Sequence, residues 1–247
     1  MPLSLFGYRP KSRFEDRIGF ESKHAHTFGG QASDFGIEFA DAPLPLHLIY
    51  RVDLRDPMVP IELKHTDFLP LLPCFNYGTE CCYQIKSDTE IKLIKPQKQE
   101  RYFPPWEAPA TFKKQNTSFA QQSFDPTNAD DVMNWKGVFG WDELAESERE
   151  RAIELARQQT SLNVEENAPD STWTYADVID CCYDPPFAQT RPGNRCENPD
   201  CGNDSLRVIA LQNDVVADEL IWPDEYVQTI WQMCTSCDCV TVSNQCT

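Results

Sequence analysis

Cys196-Glu-Asn-Pro-Asp-Cys201-Gly202 and Cys234-Thr-Ser-Cys237 are the two stretches of this 247-residue sequence that decide how its C-terminal third folds. Thirty-two residues separate Cys201 from Cys234. Two short-spaced cysteine pairs, each beside a β-type segment, are typical of a zinc ribbon. Tetrahedral zinc takes four thiolates at about 2.3 Å, and a tight turn aims two of them at one point. The pattern therefore predicts a structural metal site at Cys196, Cys201, Cys234 and Cys237.

The residues around these cysteines favour the turns that such a site needs. Asn198 and Pro199 are turn formers, and Gly202 permits a positive φ directly after the second ligand. Zinc is the predicted metal and iron is the alternative, because ligands alone do not separate the two. Ordinary reduced cysteines in a β-rich core remain a further alternative. A thioredoxin-like redox pair at Cys234 and Cys237 is disfavoured, because the following residues have the pattern of a strand and not of a helix.

The remaining cysteines give weaker indications. Eleven cysteines, an odd number, and an N-terminus without an apolar signal-peptide stretch favour a reducing compartment, so we expect a cytoplasmic protein. Cys239 and Cys246 are spare thiols near the predicted site, and Cys239 is a candidate replacement for one ligand. Two Cys-Cys-Tyr strings, at 81–83 and 181–183, place neighbouring thiols on opposite strand faces, which favours buried packing over ligation.

Hydrophobic periodicity predicts a β-rich α+β chain. Residues 1–95 form an N-terminal half, 96–134 a Pro-rich loop or insertion, and 135–247 a C-terminal half, and we expect one compact unit. Alternating apolar residues predict a half-buried strand over 46–54. Further strands are expected at 89–95, 206–212, 226–233 and 240–243. The clearest helix is predicted at 142–159 and begins with Asp142 as its cap.

The sequence contains no persuasive catalytic constellation. It has no Gly-rich phosphate loop, no nucleophile elbow and no His–Glu helix motif. His24-Ala-His26 could place two imidazoles on one strand face, but no acid or cysteine lies nearby in sequence, which favours a solvated segment. A thiol-dependent enzyme is the alternative, with one of four candidate nucleophiles: Cys74, Cys82, Cys182 or Cys239.

The chain is strongly acidic. It carries 39 Asp and Glu against 22 Lys and Arg, for a formal net charge of −17. This charge repels a phosphate backbone, so nucleic acid is excluded as a general partner, and no apolar run approaches the length of a membrane span. Solubility is the simplest interpretation of the acidity. The more specific interpretation is a protein partner with a basic surface, attracted by the field.

Two groups of residues resemble a known family. Thr27-Phe-Gly-Gly-Gln-Ala-Ser33 followed by the segment at 45–54 resembles the YwqG-like bacterial proteins. The C-terminal block, with its Cys-Gly turn, the strand at 206–214, Ile221-Trp-Pro-Asp224 and the strand ending at Cys234, resembles both that family and the eukaryotic programmed cell death protein 2 family.

The resemblance implies an α+β fold with two related β-rich halves, in which the strands at 46–54 and 206–214 are counterparts. It implies no enzyme activity. The eukaryotic relatives look like escorts for a basic ribosomal protein, and some bacterial relatives occur beside toxin–immunity genes. We therefore expect an intracellular, non-catalytic protein-binding module with a structural zinc site, acting as an immunity-type inhibitor or as an escort for a basic client. A structural subunit of a larger assembly is the remaining alternative.

Overall fold

The described part of the protein is β-rich, with two sheets and little helix. The structure is a computed structural model, and it describes residues 4–7, 23–37, 48–57, 59, 61–72, 81–95, 114–117, 119–122, 145–159, 177–179, 189, 192–213 and 227–246. All strand pairs in these ranges are antiparallel. None of the helices in these ranges combines the length and hydropathy needed to cross a membrane.

The larger sheet contains eight strands drawn from both ends of the chain. They are β1 (Ser4–Gly7), β5 (Cys81–Ile85), β6 (Ile91–Lys95), β8 (Phe119–Gln122), β9 (Asp177–Ile179), β10 (Arg207–Asn213), β11 (Val227–Cys234) and β12 (Cys239–Cys246). Their order is β6-β5-β12-β11-β10-β9-β1-β8. The β11–β12 hairpin therefore pairs directly with β5, so residues from the predicted N-terminal and C-terminal halves share one sheet.

The smaller sheet contains four strands from the first half of the sequence. They are β2 (Thr27–Phe28), β3 (Tyr50–Asp53), β4 (Phe68–Leu71) and β7 (Gln115–Asn116), in the order β4-β3-β2-β7. A short 3-10 helix, Ala32–Phe35, follows β2. Pro70 lies inside β4, although the sequence marks it as a break. It is accommodated because β4 is an edge strand with a neighbour on one side, where a missing N–H costs little.

One hydrophobic core joins the two sheets. Tyr83 and Trp231 of the larger sheet belong to the same buried cluster as Leu69, Leu71 and Leu72 around β4. The Trp231 Nε1–H donates to the Leu72 carbonyl at 2.7 Å, and the Tyr83 hydroxyl donates to the Pro70 carbonyl at 2.6 Å. The same hydroxyl accepts from the Leu72 N–H at 3.3 Å. Two fully buried aromatic side chains thus satisfy backbone groups at the end of β4.

The predicted helix is present but begins later than expected. Helix α1 spans Glu146–Gln159. The proposed cap, Asp142, lies outside the described residues. Ala145 directly precedes the helix, and its N–H donates to the Glu148 carboxylate at 2.9 Å. This bond is the reciprocal half of a capping box, in which the third helical residue satisfies the free N–H before the helix.

The strand predicted over 46–54 is shorter in the structure and is not half-exposed. Only Tyr50–Asp53 forms a strand within the described residues. Leu48 and Ile49 are both buried, at 0% and 1% exposure, and so is Asp53, which the alternation places on the polar face. Asp53 is tolerated inside because the Arg55 guanidinium donates to both of its oxygens, at 2.8 and 2.7 Å.

We expect Tyr83→Phe to lower the free energy of unfolding by about 1–3 kcal/mol, because it leaves the buried Leu72 N–H and Pro70 carbonyl without their partner. The substitution removes one oxygen and leaves the packing of the ring unchanged. Urea unfolding followed by Trp fluorescence measures the change. A variant within about 0.3 kcal/mol of the wild type would show that the hydroxyl does not hold the sheets together.

Candidate metal centre

Four cysteine side chains converge at one end of the larger sheet. The Sγ atoms of Cys196, Cys201, Cys234 and Cys237 all lie within 4.8 Å of one another. The Cys196–Cys237 and Cys201–Cys234 sulfur pairs are each 3.6 Å apart. A tetrahedral ion with 2.3 Å metal–sulfur bonds needs sulfur–sulfur separations of roughly 3.8 Å. The arrangement therefore has the size and the donor atoms for one thiolate-bound metal ion.

One pair of ligands comes from the turn of the β11–β12 hairpin, residues 234–239, named here the second cysteine turn. Cys234 ends β11 and Cys239 begins β12. The Asp238 N–H donates to the Cys234 carbonyl at 3.0 Å, and Asp238 has a left-handed φ of 55°. A strand and not a helix follows Cys237, so the helix N-terminus on which a thioredoxin-like pair depends is not formed at this turn.

The other pair comes from residues 196–203, named here the first cysteine loop. The Cys201 N–H donates to the Asn198 carbonyl at 3.0 Å, and the Cys196 N–H donates to the Asn203 carbonyl at 2.8 Å. Gly202 has a φ of 66°, in agreement with the positive φ expected from the sequence at this position. Gly202 and Asp238 thus occupy equivalent left-handed positions directly after the second ligand of each pair, and both residue types tolerate this conformation.

Asn203 connects the two halves of the centre. Its side-chain Nδ2–H donates to the Cys234 Sγ at 3.2 Å and lies 3.3 Å from the Ser236 Oγ. Its Oδ1 accepts from the Ser205 N–H at 3.1 Å, which fixes the direction of the amide. A donor held in this way stabilises a thiolate, which is the form that binds metal.

The environment affects the four thiols differently. Burial alone would raise the pKa of Cys234, but hydrogen bonds outweigh it and lower the pKa to about 6, with the Asn203 amide as the strongest donor. Burial raises the pKa of Cys196, and the neighbouring sulfurs of Cys237 and Cys234 raise it further. Four thiolates at these distances repel one another, so their joint ionisation requires a cation among them.

Segments from the first half of the chain hold the second cysteine turn in place. The Gln84 side-chain N–H donates to the Cys237 carbonyl at 2.8 Å, and the Lys64 ammonium donates to the Ser236 carbonyl at 2.9 Å. The Ile85 N–H donates to the Asp238 carbonyl at 3.1 Å. These bonds fix the backbone of the turn from outside the hairpin, as the surroundings of a rigid structural site require.

The other cysteines divide by strand face. Cys81 packs in the core between the sheets, whereas Cys82 lies in a second buried cluster with Cys196, Cys234 and Cys239. The placement of Cys82 beside the centre was not predicted. It arises from the pairing of β5 with β12, a long-range contact that leaves no local spacing signal. Cys74, Cys181 and Cys182 lie outside the described residues.

Cys246 is excluded as a replacement ligand by the strand register. It is opposite Val227 at the far end of the hairpin, while Cys239 is opposite Cys234 at the turn. Cys246 is seven positions along the strand from Cys239, a distance of roughly 23 Å at 3.3 Å per residue. The register therefore places position 239, and not position 246, at the end of the hairpin where the centre lies.

The prediction of a solvated segment at His24-Ala-His26 is wrong for His26. This side chain is 1% exposed, its Nδ1 accepts from the Asp53 N–H at 3.0 Å, and its Nε2–H donates to the Asp56 carboxylate at 2.9 Å. Burial lowers the pKa of His26, against the opposing effect of Asp56. Both ring nitrogens are engaged, so His26 is a structural residue and neither a general base nor a metal ligand.

Comparison with protein-family models, with curated proteins and with solved structures finds no match. The centre is therefore interpreted from its own geometry. Four thiols that enclose one point leave no position for a substrate or water, which is typical of structural metal sites.

Protein purified without added metal should carry about one zinc ion per chain, because four thiolates complete a tetrahedral shell. Elemental analysis by mass spectrometry measures the stoichiometry. Removal of the metal by a chelator should lower the melting temperature strongly, since structural zinc contributes on the order of 10 kcal/mol to folding. Well-folded protein that carries neither zinc nor iron would contradict the assignment.

Asn203→Ala should weaken metal binding by about 10–100-fold, because it removes the donor to Cys234. Asn203→Asp should weaken binding more. It keeps the oxygen that accepts from the Ser205 N–H but places a negative oxygen beside a thiolate. Competition with a chromophoric chelator measures both affinities, with exposed Asp204→Asn as the control. If Asn203→Asp binds metal as tightly as the wild type, Asn203 does not support the centre.

Proposed function

We propose that this protein is an intracellular, non-catalytic protein-binding module with a structural zinc ion held by Cys196, Cys201, Cys234 and Cys237. It acts as an immunity-type inhibitor or as an escort for a basic client protein. The observation that carries the proposal is the closed set of four sulfurs, all within 4.8 Å of one another, at one end of a sheet that draws strands from both ends of the chain. Such a site stabilises a surface and does not perform chemistry.

Two of the four candidate nucleophiles, Cys82 and Cys239, lie in the described residues, and neither has the surroundings of a reactive thiol. Cys82 and Cys239 are 0% and 1% exposed, so a dissolved substrate has no access to either sulfur in this conformation. Reactive cysteines are partly exposed, whereas these two are buried in a cluster with other thiols and apolar side chains. Their burial supports a structural role.

The acidity supports the choice of a basic partner. The net charge of −17 is large for 247 residues and produces a long-range field that attracts a basic surface before contact. Exposed carboxylates in the described residues include Glu62, Glu90 and Asp204, whose side chains make no hydrogen bond or ion pair within those residues. They are available to contribute to that field.

Three further parts of the proposal concern the fold family, the identity of the metal and the location of the protein. The YwqG-like resemblance suggests an α+β chain of two related halves, with β3 and β10 inside the two counterpart segments. We propose zinc in preference to iron because an ion without redox chemistry suits a structural role. A cytoplasmic location is supported by the free thiols of all seven cysteines whose side chains are described.

Association with the partner should slow by about tenfold or more between low and high salt, since steering by charge is screened within a Debye length of about 10 Å at 0.1 M salt. The partner is first captured on the immobilised protein and identified. Stopped-flow mixing then gives the association and dissociation rates separately. A strongly acidic partner, or rates indifferent to salt, would leave the acidity as a solubility feature and remove support for the escort and inhibitor roles.

Two matched sets of variants test the dependence of the association rate on net charge. Glu62→Lys, Glu90→Lys and Asp204→Lys together change the net charge from −17 to −11, two units for each substitution. The matched set Glu62→Gln, Glu90→Gln and Asp204→Asn changes it to −14, one unit each. The association rate should fall in the order wild type, neutral set, reversed set, while dissociation changes less. Equal melting temperatures confirm that the fold is intact.

A further inference from the structure

We propose that Cys239 is a reserve ligand of the metal centre and replaces Cys237 when that thiolate is lost. The metal ion is then held by Cys196, Cys201, Cys234 and Cys239. The inference rests on the proposed metal centre and adds to it a second coordination state. Four observations carry it: the register of the hairpin, the contacts of Cys239, the exposure of Cys237, and the different residue at the equivalent position of the first cysteine loop.

The strand register places Cys239 on the same side of the sheet as the centre. Cys239 is directly opposite Cys234 in the β11–β12 ladder. Directly opposed residues of an antiparallel pair project to the same face, with Cβ atoms about 4.5–5.5 Å apart. Cys239 accordingly packs in one buried cluster with Cys196 and Cys234, and Cys201 and Cys237 pack against this cluster.

The Cys239 thiol lies beside the ligands of the centre without being one of them. It belongs to the buried cluster that contains Cys82, Cys196 and Cys234, and Cys237 packs against that cluster. Cys239 does not belong to the set of four mutually close sulfurs, so it is outside the first shell and next to it.

The exchange balances with water as the proton acceptor. The metal–sulfur bond to the damaged or substituted residue 237 is lost, and a bond from the metal to the Cys239 sulfur forms. The proton of the Cys239 thiol passes to water as that bond forms. The number of thiolates on the metal and the net charge of the centre stay the same, so this buried site is not left with an uncompensated charge.

Cys237 is the ligand of this turn that most needs a substitute. Cys234 and Cys239 are 0% and 1% exposed, whereas Cys237 is partly exposed at the tip of the turn. Oxidants and electrophiles in solution therefore reach Cys237 before they reach Cys234. A buried thiol in the adjoining cluster keeps the metal bound, and the fold intact, after such damage.

The first cysteine loop provides a matched comparison within the same centre. Cys201 is also partly exposed, and it is also followed by a residue with left-handed φ, Gly202. Two positions after Cys201 the residue is Asn203, and two positions after Cys237 it is Cys239. The amide of Asn203 does not replace a thiolate. The two exposed ligands therefore differ in one respect that matters, which is the presence of a spare thiol.

The test uses the full-length chain and titration with Co²⁺, whose thiolate charge-transfer absorption grows with the number of bound sulfurs, followed by competition with Zn²⁺. We expect Cys237→Ser to keep one metal per chain, four-thiolate absorption and an affinity within about tenfold of the wild type. Cys201→Ser should lose one thiolate from the spectrum and more than about 100-fold in affinity. The double variant Cys237→Ser with Cys239→Ala should behave like Cys201→Ser.

The outcomes test the reserve role of Cys239 separately from the metal centre itself. If Cys237→Ser is as impaired as Cys201→Ser, or is unfolded in the presence of zinc, the reserve role of Cys239 is overturned while the centre stands. If Cys239→Ala alone loses a thiolate from the spectrum, Cys239 is an ordinary ligand and not a reserve. If the folded wild type binds no metal, the centre itself is wrong. Circular dichroism of each variant with zinc separates lost binding from lost folding.

Discussion

The convergence of four sulfurs at one end of the larger sheet is the constraint on which the C-terminal part of the structure depends. Thiolates at separations near 3.6 Å repel one another, and burial adds to the cost of their charge. A divalent ion bound there would remove both penalties at once, and its binding energy would become folding energy. It would stabilise the β11–β12 hairpin and the first cysteine loop as one unit, although 32 residues separate Cys201 from Cys234 in the sequence.

The centre is also tied to the first half of the chain. Its second cysteine turn accepts hydrogen bonds at Ser236 from Lys64, at Cys237 from Gln84 and at Asp238 from Ile85. On the other face of the same hairpin, Trp231 bonds to the backbone at Leu72. The hairpin thus connects the cysteine centre to the core between the sheets, so loss of a bound metal ion would destabilise more than a local ribbon.

Local sequence signals predicted the parts of the site that are local. The spacing of each cysteine pair, Gly202 after Cys201 and the strands on both sides are short-range features, and the structure brings the four sulfurs together. The predicted strand at 206–212 differs from β10 by one residue at each end. Short-range spacing could not reveal Cys82 beside the centre, because the β5–β12 pairing joins residues more than 150 positions apart.

The buried polar residues of the first half show the same limit. Nothing near His26 in sequence indicated a buried imidazole, because its partners Asp53 and Asp56 come from the next strand and its turn. Alternation likewise placed Asp53 on a polar face, but Arg55 pairs with it and allows burial. A period-two pattern reports the average polarity of a face and carries no information about compensating partners.

A structural centre of this kind constrains where a partner protein would bind. The buried ligands Cys196 and Cys234 and the backbone bonds around them are committed to folding, so changes there remove binding only by unfolding the ribbon. The charges that would attract a basic partner lie on exposed side chains such as Glu62 and Glu90, which have no structural role in the described contacts. Under the proposed function, recognition and stability would therefore fall on separate sets of residues, so a change of surface charge should alter partner association without unfolding the cysteine centre.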